Sequence, residues 1–312
     1  MLTYFLLIVG LLVLVIGGDI LVRGAVSIAE RFSISPLIIG LTIVSLGTSA
    51  PELFISVQAA LAGSGGLSIG NVVGSNIANI LLVLGLPALI AAQCVKEDGI
   101  GRNILVMLGI TVVFMGMLST GSMGFVYGLI LLVLLGLFLW DQYKSSLLSN
   151  DIPDYHDEVG ESISSPKMAM AYLVVGLIML PVGAQLTVNS AHTIALDWGL
   201  SDEIIGLTVV AIGTSLPELA ASMMAVIRGN SNLAIGNVVG SNIFNIAAIM
   251  GITLIITPVP VGPHIIQLDM WVMFAVSLFL AFVAYFKDEI GRIMGLVMLA
   301  LYTSYIALAL VN

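Results

Sequence analysis

The segment GLTIVSLGTSAPEL, residues 40–53, returns as GLTVVAIGTSLPEL at residues 206–219, with ten of fourteen positions identical. A second pair, IGNVVGSNIANI (69–80) and IGNVVGSNIFNI (235–246), agrees at eleven of twelve. Both pairs are offset by 166 residues, so the chain is two halves of one design. Each copy of the first motif sets one glutamate, Glu52 or Glu218, in otherwise apolar sequence. A carboxylate is unfavourable in hydrocarbon unless it faces a cavity or a cation. Two of them at equivalent places point to a cation site where the halves meet.

The repeats lie in a chain that is 59 % hydrophobic and 9 % charged, where an ordinary soluble domain is about a quarter charged. A water-soluble fold is excluded on that ground. A membrane crossing needs about 20 mostly apolar residues. Ten such stretches can be placed: 2–22, 37–60, 69–92, 103–120 and 124–140 in the first half, and 168–190, 204–226, 233–256, 268–286 and 291–311 in the second. The expected fold is an all-α integral membrane protein of ten transmembrane helices. The apolar N-terminus lacks a basic n-region and is read as a span, not a cleavable signal.

With the N-terminus outside, all nine basic residues (Arg23, Arg31, Lys96, Arg102, Lys144, Lys167, Arg228, Lys287, Arg292) fall at cytoplasmic span ends or loops. The opposite loops and the C-terminus hold none. Five spans is an odd number, so the second half enters the membrane upside down. The design is thus two inverted-topology five-helix repeats, 1–140 and 168–312, joined by a cytoplasmic linker, 141–167. That linker carries six acids, among them Asp151 and Glu158, but lacks the ligand spacing of a calcium-binding EF-hand loop. In transporters with such repeats, the binding site lies near the midplane between them.

Pro51 and Pro217 sit inside spans, where proline has no N–H to give and clashes with the carbonyl four residues back. A break is expected at each, leaving carbonyls around Ser45–Thr48 and Ala211–Thr214 without helical partners. Irregular backbone at membrane depth is tolerated only when buried or lining a cavity. Gly47 and Gly213 supply unusual angles or close approach. Glu52 and Glu218 then fall in the first turn of the following half-helix, where the dipole favours a negative charge. The hydroxyls of Thr48, Ser49, Thr214 and Ser215 add oxygen. An all-oxygen set suits hard cations such as Ca²⁺ and Na⁺.

The second motif reads as helix, with Asn71, Ser75 and Asn79 on one face, and Asn237, Ser241 and Asn245 likewise. Gly70 with Gly74, and Gly236 with Gly240, are small-xxx-small pairs for close helix packing. Ser75, Asn79, Ser241 and Asn245 lie deepest and are the cation-facing candidates. Asn71, Asn76, Asn237 and Asn242 are expected to bond across helices. Asp19 is expected to pair with Arg23, and methionines along the spans to pack or face lipid. The lone cysteine, Cys94, excludes an internal disulfide framework. The three scattered histidines (His156, His192, His264) give no support to a transition-metal site.

GTSAPE and GTSLPE, each followed by GNVVGSNI, resemble the two α-repeats of the cation/calcium antiporter superfamily, with the nearest likeness to prokaryotic sodium/calcium exchangers. The resemblance implies exchange of Na⁺ for Ca²⁺ by alternating access, the first and sixth helices sliding over a stationary core. By carry-over, Glu52 and Glu218 hold Ca²⁺, helped by the carbonyls of Thr48 and Thr214. Sodium sites use the Ser45 and Ala211 carbonyls with Thr48, Ser49, Thr214, Ser215, Ser75 and Ser241, and Asn79 and Asn245 face the centre. Many relatives carry Asp where this chain has Asn245, and in the potassium-dependent branch that acid is linked to K⁺. Asn245 argues against K⁺ dependence.

The reading implies no cofactor beyond the transported Ca²⁺ and Na⁺, no enzyme activity, no nucleic acid and no obligatory protein partner. A multi-pass cell-membrane monomer with both termini outside fits. The alternatives are a Ca²⁺(cation)/H⁺ antiporter and, less favoured by the repeat, a cation channel. An intramembrane enzyme lacks its metal-ligand set or nucleophile pair.

Overall fold

A computed structural model of the chain describes residues 2–96, 99–148, 163, 165–198 and 211–311. Residues 149–162, with five of the linker's six acids, and residues 204–210, the first part of the expected seventh span, lie outside these. Among the described residues, eight helices are long and apolar enough to cross a bilayer: α1 (Leu2–Phe32), α4 (Gly65–Ala88), α5 (Ile100–Leu118), α6 (Phe125–Leu148), α7 (Pro166–Asp197), α10 (Ser231–Ile256), α11 (Ile265–Phe286) and α12 (Arg292–Val311). Between them, α2 (Pro36–Thr48) and α3 (Ala50–Leu61) form one broken span bent by 45°. The short turn α8 (Ala211–Thr214) and α9 (Leu216–Ile227) follow the same pattern.

The helices sort by burial. The most apolar stretches of α10 and α4 are 83 % and 72 % buried, whereas those of α6 and α12 are 22 % and 17 %. The repeated second motif therefore forms the centre, and leucine-, valine- and isoleucine-rich helices form the rim. Helix α1 outruns its expected span at the Phe32 end and α7 at both ends, their shared seam continuing through the small residues that join them.

Helix α1 packs along α7 on glycines. A Cβ on Gly10 would meet Thr187 Oγ1 at 2.6 Å, one on Gly24 the Leu173 nitrogen at 2.5 Å, and one on Gly176 the Leu21 backbone at 2.7 Å. The first end of α1 thus meets the last end of α7: the two equivalent helices run antiparallel. Their backbones touch because no side chain intervenes. This pair buries Leu14, Leu21 and Leu180 together with Ala221 and Ala225 of α9.

Two short ladders tie the ends of the remaining helices. Strand β1 (Gln93–Cys94) pairs antiparallel with β4 (Glu289–Ile290), and β2 (Ser122–Met123) with β3 (Val259–Pro260). Helix α5 separates β1 from β2, and 19 residues of helix span ~28 Å, close to the thickness of a bilayer core. Lys96 pairs with Asp288 beside the first ladder, and Arg102 with Asp141 at 2.9 Å near the same end of α5. The strands of the second ladder carry no charge.

Candidate cation site

The breaks before both glutamates fall at Ser49 (φ −82°, ψ 7°) and Ser215 (φ −86°, ψ 5°). Pro51 and Pro217 occupy the start of α3 and α9, where a missing N–H is tolerated. Glu52 and Glu218 follow in the first turns, as expected, and each is 1 % exposed. Gly47 and Gly213 serve close approach: α7 lays Leu177 over the first and Val188 over the second.

The expected run of bared carbonyls is shorter by its first member: the Ser45 carbonyl accepts the Ser49 N–H at 3.1 Å, whereas the N–H that Pro51 lacks is the one four residues beyond the Gly47 carbonyl. The Ser45 hydroxyl in turn donates to the Thr42 carbonyl at 3.2 Å. Ser49, placed at the break with a non-helical ψ, closes that turn from outside it. Ala211 opens the turn α8, and its side chain lies outside the described set.

Side chains of the site also leave oxygen atoms without a partner. Ser49 Oγ donates to Glu218 Oε1 at 3.0 Å, joining the two halves. The hydroxyls of Thr48 and Ser241 also face the Glu218 carboxylate, Ser241 outside hydrogen-bonding geometry. The Glu52 carboxylate folds toward its own backbone N–H and is close enough to Glu218 for mutual repulsion. Buried atoms without a partner include Glu52 Oε2, Glu218 Oε2, Asn79 Oδ1, Asn245 Oδ1, Ser215 Oγ and Ser241 Oγ. Thr48, Thr214 and Ser75 are buried beside them. Among the described residues no ion pair involves either glutamate.

The amides are arranged in matched pairs. Asn79 Nδ2 donates to Asn242 Oδ1 at 3.1 Å, and Asn245 Nδ2 donates to Asn76 Oδ1 at 3.2 Å. Asn71 Nδ2 donates to the Glu52 carbonyl (3.2 Å) and Ser56 Oγ (2.9 Å). Asn237 does the same to the Glu218 carbonyl (3.4 Å) and Ser222 Oγ (3.0 Å). Asn237 Oδ1 further accepts from Thr48 at 3.2 Å. The four outer asparagines thus bond across helices, as expected. Asn79 and Asn245 each open a π turn, Asn79–Val83 and Asn245–Met250. The turn holding Asn79 packs on α9, which carries Glu218, and the turn holding Asn245 packs on α3, which carries Glu52.

A family model described as sodium/calcium exchanger protein matches residues 2–144 and 168–311. The chain belongs to the sodium/calcium exchanger family. It is 39 % identical to a putative antiporter, CaxA, of Alkalimonas amylolytica, over 97 % of each chain. It is 31 % identical to the sodium/calcium exchanger MaX1 of Methanosarcina acetivorans, again over 97 % of each. A solved structure of the sodium-calcium exchanger NCX_Mj, soaked with Na⁺ and Ca²⁺, superposes with a TM-score of 0.86 at 35 % identity, covering 98 % of both chains. The chain is therefore an all-helical membrane antiporter of cations, of a transporter family and not of an enzyme class.

Within this exchanger fold, sequence reasoning missed several positions. Ser56 and Ser222, both fully buried, hold the outer asparagines. Asn76 and Asn242, expected to bond across helices, hold the inner ones, and Met107 and Met273, expected only to pack or face lipid, accept from those amides. All of these recur at the 166-residue offset, which is the signal that marks them. Gly236 and Gly240 pack on α2 as expected, with a Cβ on Gly240 meeting Leu41 O at 2.6 Å. The symmetry-equivalent neighbours of Gly70 and Gly74 lie in the undescribed segment before Ala211.

Asp19 pairs with Arg23 at 3.2 Å, as expected, and also with Arg228 at the end of α9. The equivalent positions, Gln185 and Ala62, carry no charge. A cavity of 240 Å³ lies at that opposite end, lined by Gln185, Asn189 and His192 of α7 and reaching Pro51 and Thr214.

Proposed function

We propose that this exchanger couples Na⁺ to Ca²⁺ across the cell membrane by alternating access. In this reading Glu52, Glu218, Thr48, Thr214, Ser49, Ser215, Ser45, Ala211, Ser75, Ser241, Asn79 and Asn245 line its ion site. The observation that carries the reading is the pair of fully buried carboxylates, each with an unpartnered oxygen, set among unpartnered amide and hydroxyl oxygens and, among the described residues, paired with no cation of the protein. Buried charge of this kind requires a counter-ion. One Ca²⁺ neutralises both glutamates, and so do two Na⁺. The empty, doubly charged site is unfavourable to carry past apolar surface, which enforces exchange over uncoupled return.

Ten spans as two inverted repeats follow if α8 and α9 complete the seventh crossing. Support comes from the antiparallel run of α1 against α7. It comes also from the ladders: β1 and β3 are equivalent by the 166-residue offset, yet each pairs with the other's non-equivalent neighbour at opposite ends of α5. The basic end, with Lys96 and Arg102, is cytoplasmic by the charge rule, placing both termini outside. The Asp19–Arg228 pair then closes the cytoplasmic side while the cavity at His192 opens the other. Sliding of α1 and α7 over the buried α4 and α10 would exchange these conditions.

Sodium as counter-ion is supported by the family and by the likeness to MaX1 and NCX_Mj, both sodium/calcium exchangers. The test is ⁴⁵Ca²⁺ uptake into proteoliposomes under Na⁺, K⁺ or H⁺ gradients imposed singly. Uptake is expected with the Na⁺ gradient alone and is unaffected by K⁺, in keeping with Asn245. Uptake driven by a pH gradient in Na⁺-free buffer would replace Na⁺ by H⁺, and flux without any counter-gradient dependence would make the protein a channel.

A further inference from the structure

Asn79 and Asn245 can serve a cation only if their carbonyl oxygens, not their NH₂ groups, point into the site. An asparagine amide is nearly symmetric in shape, so something outside it must choose between the two orientations. Each is held through its Nδ2 by the Oδ1 of a second asparagine, Asn242 or Asn76. That only moves the question outward by one residue.

The answer lies one residue further. Asn242 Nδ2 donates to Met107 Sδ at 3.5 Å, and Asn76 Nδ2 donates to Met273 Sδ at 3.8 Å. A thioether sulfur is a weak acceptor and has no hydrogen to donate. It accepts an NH₂ group but faces a carbonyl oxygen lone pair to lone pair. Each sulfur therefore fixes the outer amide, which fixes the inner amide, which leaves an oxygen facing inward. Asn79 Oδ1 and Asn245 Oδ1 are the atoms the chains leave unpartnered. The two relays are equivalent at every step: 107 and 273, 242 and 76, 79 and 245 are each separated by 166 residues in sequence. All six side chains are buried, none more than 2 % exposed.

We propose that Met107 and Met273 are positioning residues for ion binding, which set the amide orientation of Asn79 and Asn245 through Asn242 and Asn76. The proposal rests on the reading of those two oxygens as cation ligands. Leucine has nearly the volume of methionine and no acceptor, so Met273→Leu frees both amides to turn over and present N–H to the cation. A hydrogen bond of this class changes an equilibrium by about threefold to tenfold, and half-saturating Ca²⁺ should rise by that factor.

Aspartate distinguishes orientation from packing, because its two oxygens are interchangeable. In an Asn245→Asp background Asn76 must turn its NH₂ toward the aspartate and its oxygen toward the sulfur, so Met273→Leu should not raise half-saturating Ca²⁺ there. The experiment measures ⁴⁵Ca²⁺ binding and Na⁺-driven uptake for Met273→Leu, Asn245→Asp, the double variant and Asn245→Ala in the full chain. The same set is run for Met107→Leu with Asn79→Asp, in case one site tolerates substitution poorly. Loss of affinity in the asparagine background only is the expected result. Equal loss in both backgrounds would reduce the methionine to packing and overturn the proposal. No loss for Met273→Leu or Met107→Leu, with clear loss for Asn245→Ala, would overturn it as well. Unchanged affinity in Asn245→Ala would overturn the ligand reading beneath it.

Discussion

Replacing Glu218 by glutamine probes the site with the least change of shape. Glu218 Oε1 is occupied by the Ser49 hydroxyl at 3.0 Å, and Oε2 has no partner. A glutamine keeps the Ser49 bond through its own Oε1, so its Nε2 lands where Oε2 faced the site. The variant therefore loses one charge and turns two N–H donors toward the cation. Removing one partner of a buried charge pair weakens it by about 3–5 kcal/mol, which is about 150- to 5,000-fold in Ca²⁺ affinity. Thermal unfolding in detergent reads this directly. At a hundredfold excess over its dissociation constant, a ligand adds ~2.7 kcal/mol. With an unfolding entropy of ~2.1 cal/mol/K per residue, that raises the midpoint of a chain of 312 residues by about 4 °C. Glu218→Gln should lose this shift at the same Ca²⁺ concentration. Without Ca²⁺ the variant should melt no lower than the wild type, because it relieves the repulsion with Glu52. A variant that keeps the Ca²⁺ shift, with Na⁺-driven ⁴⁵Ca²⁺ uptake intact, would refute the cation assignment.

Two further predictions concern the scaffold. Gly240→Ala drives a methyl into Leu41 O and Ser45 Oγ and should destabilise the protein by about 1–3 kcal/mol. Gly116→Ala on α5 has nothing within 4 Å among the described residues and should stabilise it by about 0.5–1 kcal/mol; unfolding midpoints in one detergent compare the two. Asp19→Asn removes the link from α1 to Arg228. In a Cys94→Ala background, a cysteine introduced by Ala221→Cys, at a position buried between these helices, should then be alkylated about fivefold faster. An unchanged labelling rate would show that the ion pair closes nothing.

Much of the site was legible in the sequence because the second copy served as a control on the first. A polar residue in an apolar span has many explanations, but one repeated at a fixed offset has few. Glu52, Glu218, Asn79 and Asn245 were found that way. Ser56, Ser222, Met107 and Met273 obey the same rule but carry a weaker signal, since serine packs well in helices and methionine is ordinary in a span. The expectation of bared carbonyls was drawn too wide at one end: Ser49 keeps its N–H on the Ser45 carbonyl, because the proline two residues later withholds its own N–H from Gly47 and not from Ser45. The π turns at Asn79 and Asn245 had no visible signal. Pro87 follows the first, but its equivalent in the second half is Thr253, so proline is not their common cause.

The sequence by itself determined that the chain is a membrane protein of two related halves, that each contributes one buried glutamate, and that hard oxygen donors surround it. Those conclusions depend on composition, spacing and the energetics of charge in hydrocarbon, which act on any fold. Only the tertiary structure decided which oxygens are left without partners. In the proposed relay, whether Asn79 offers an oxygen or an N–H depends on Asn242 of the other half, which reaches both Asn79 and Met107 only after the halves have packed.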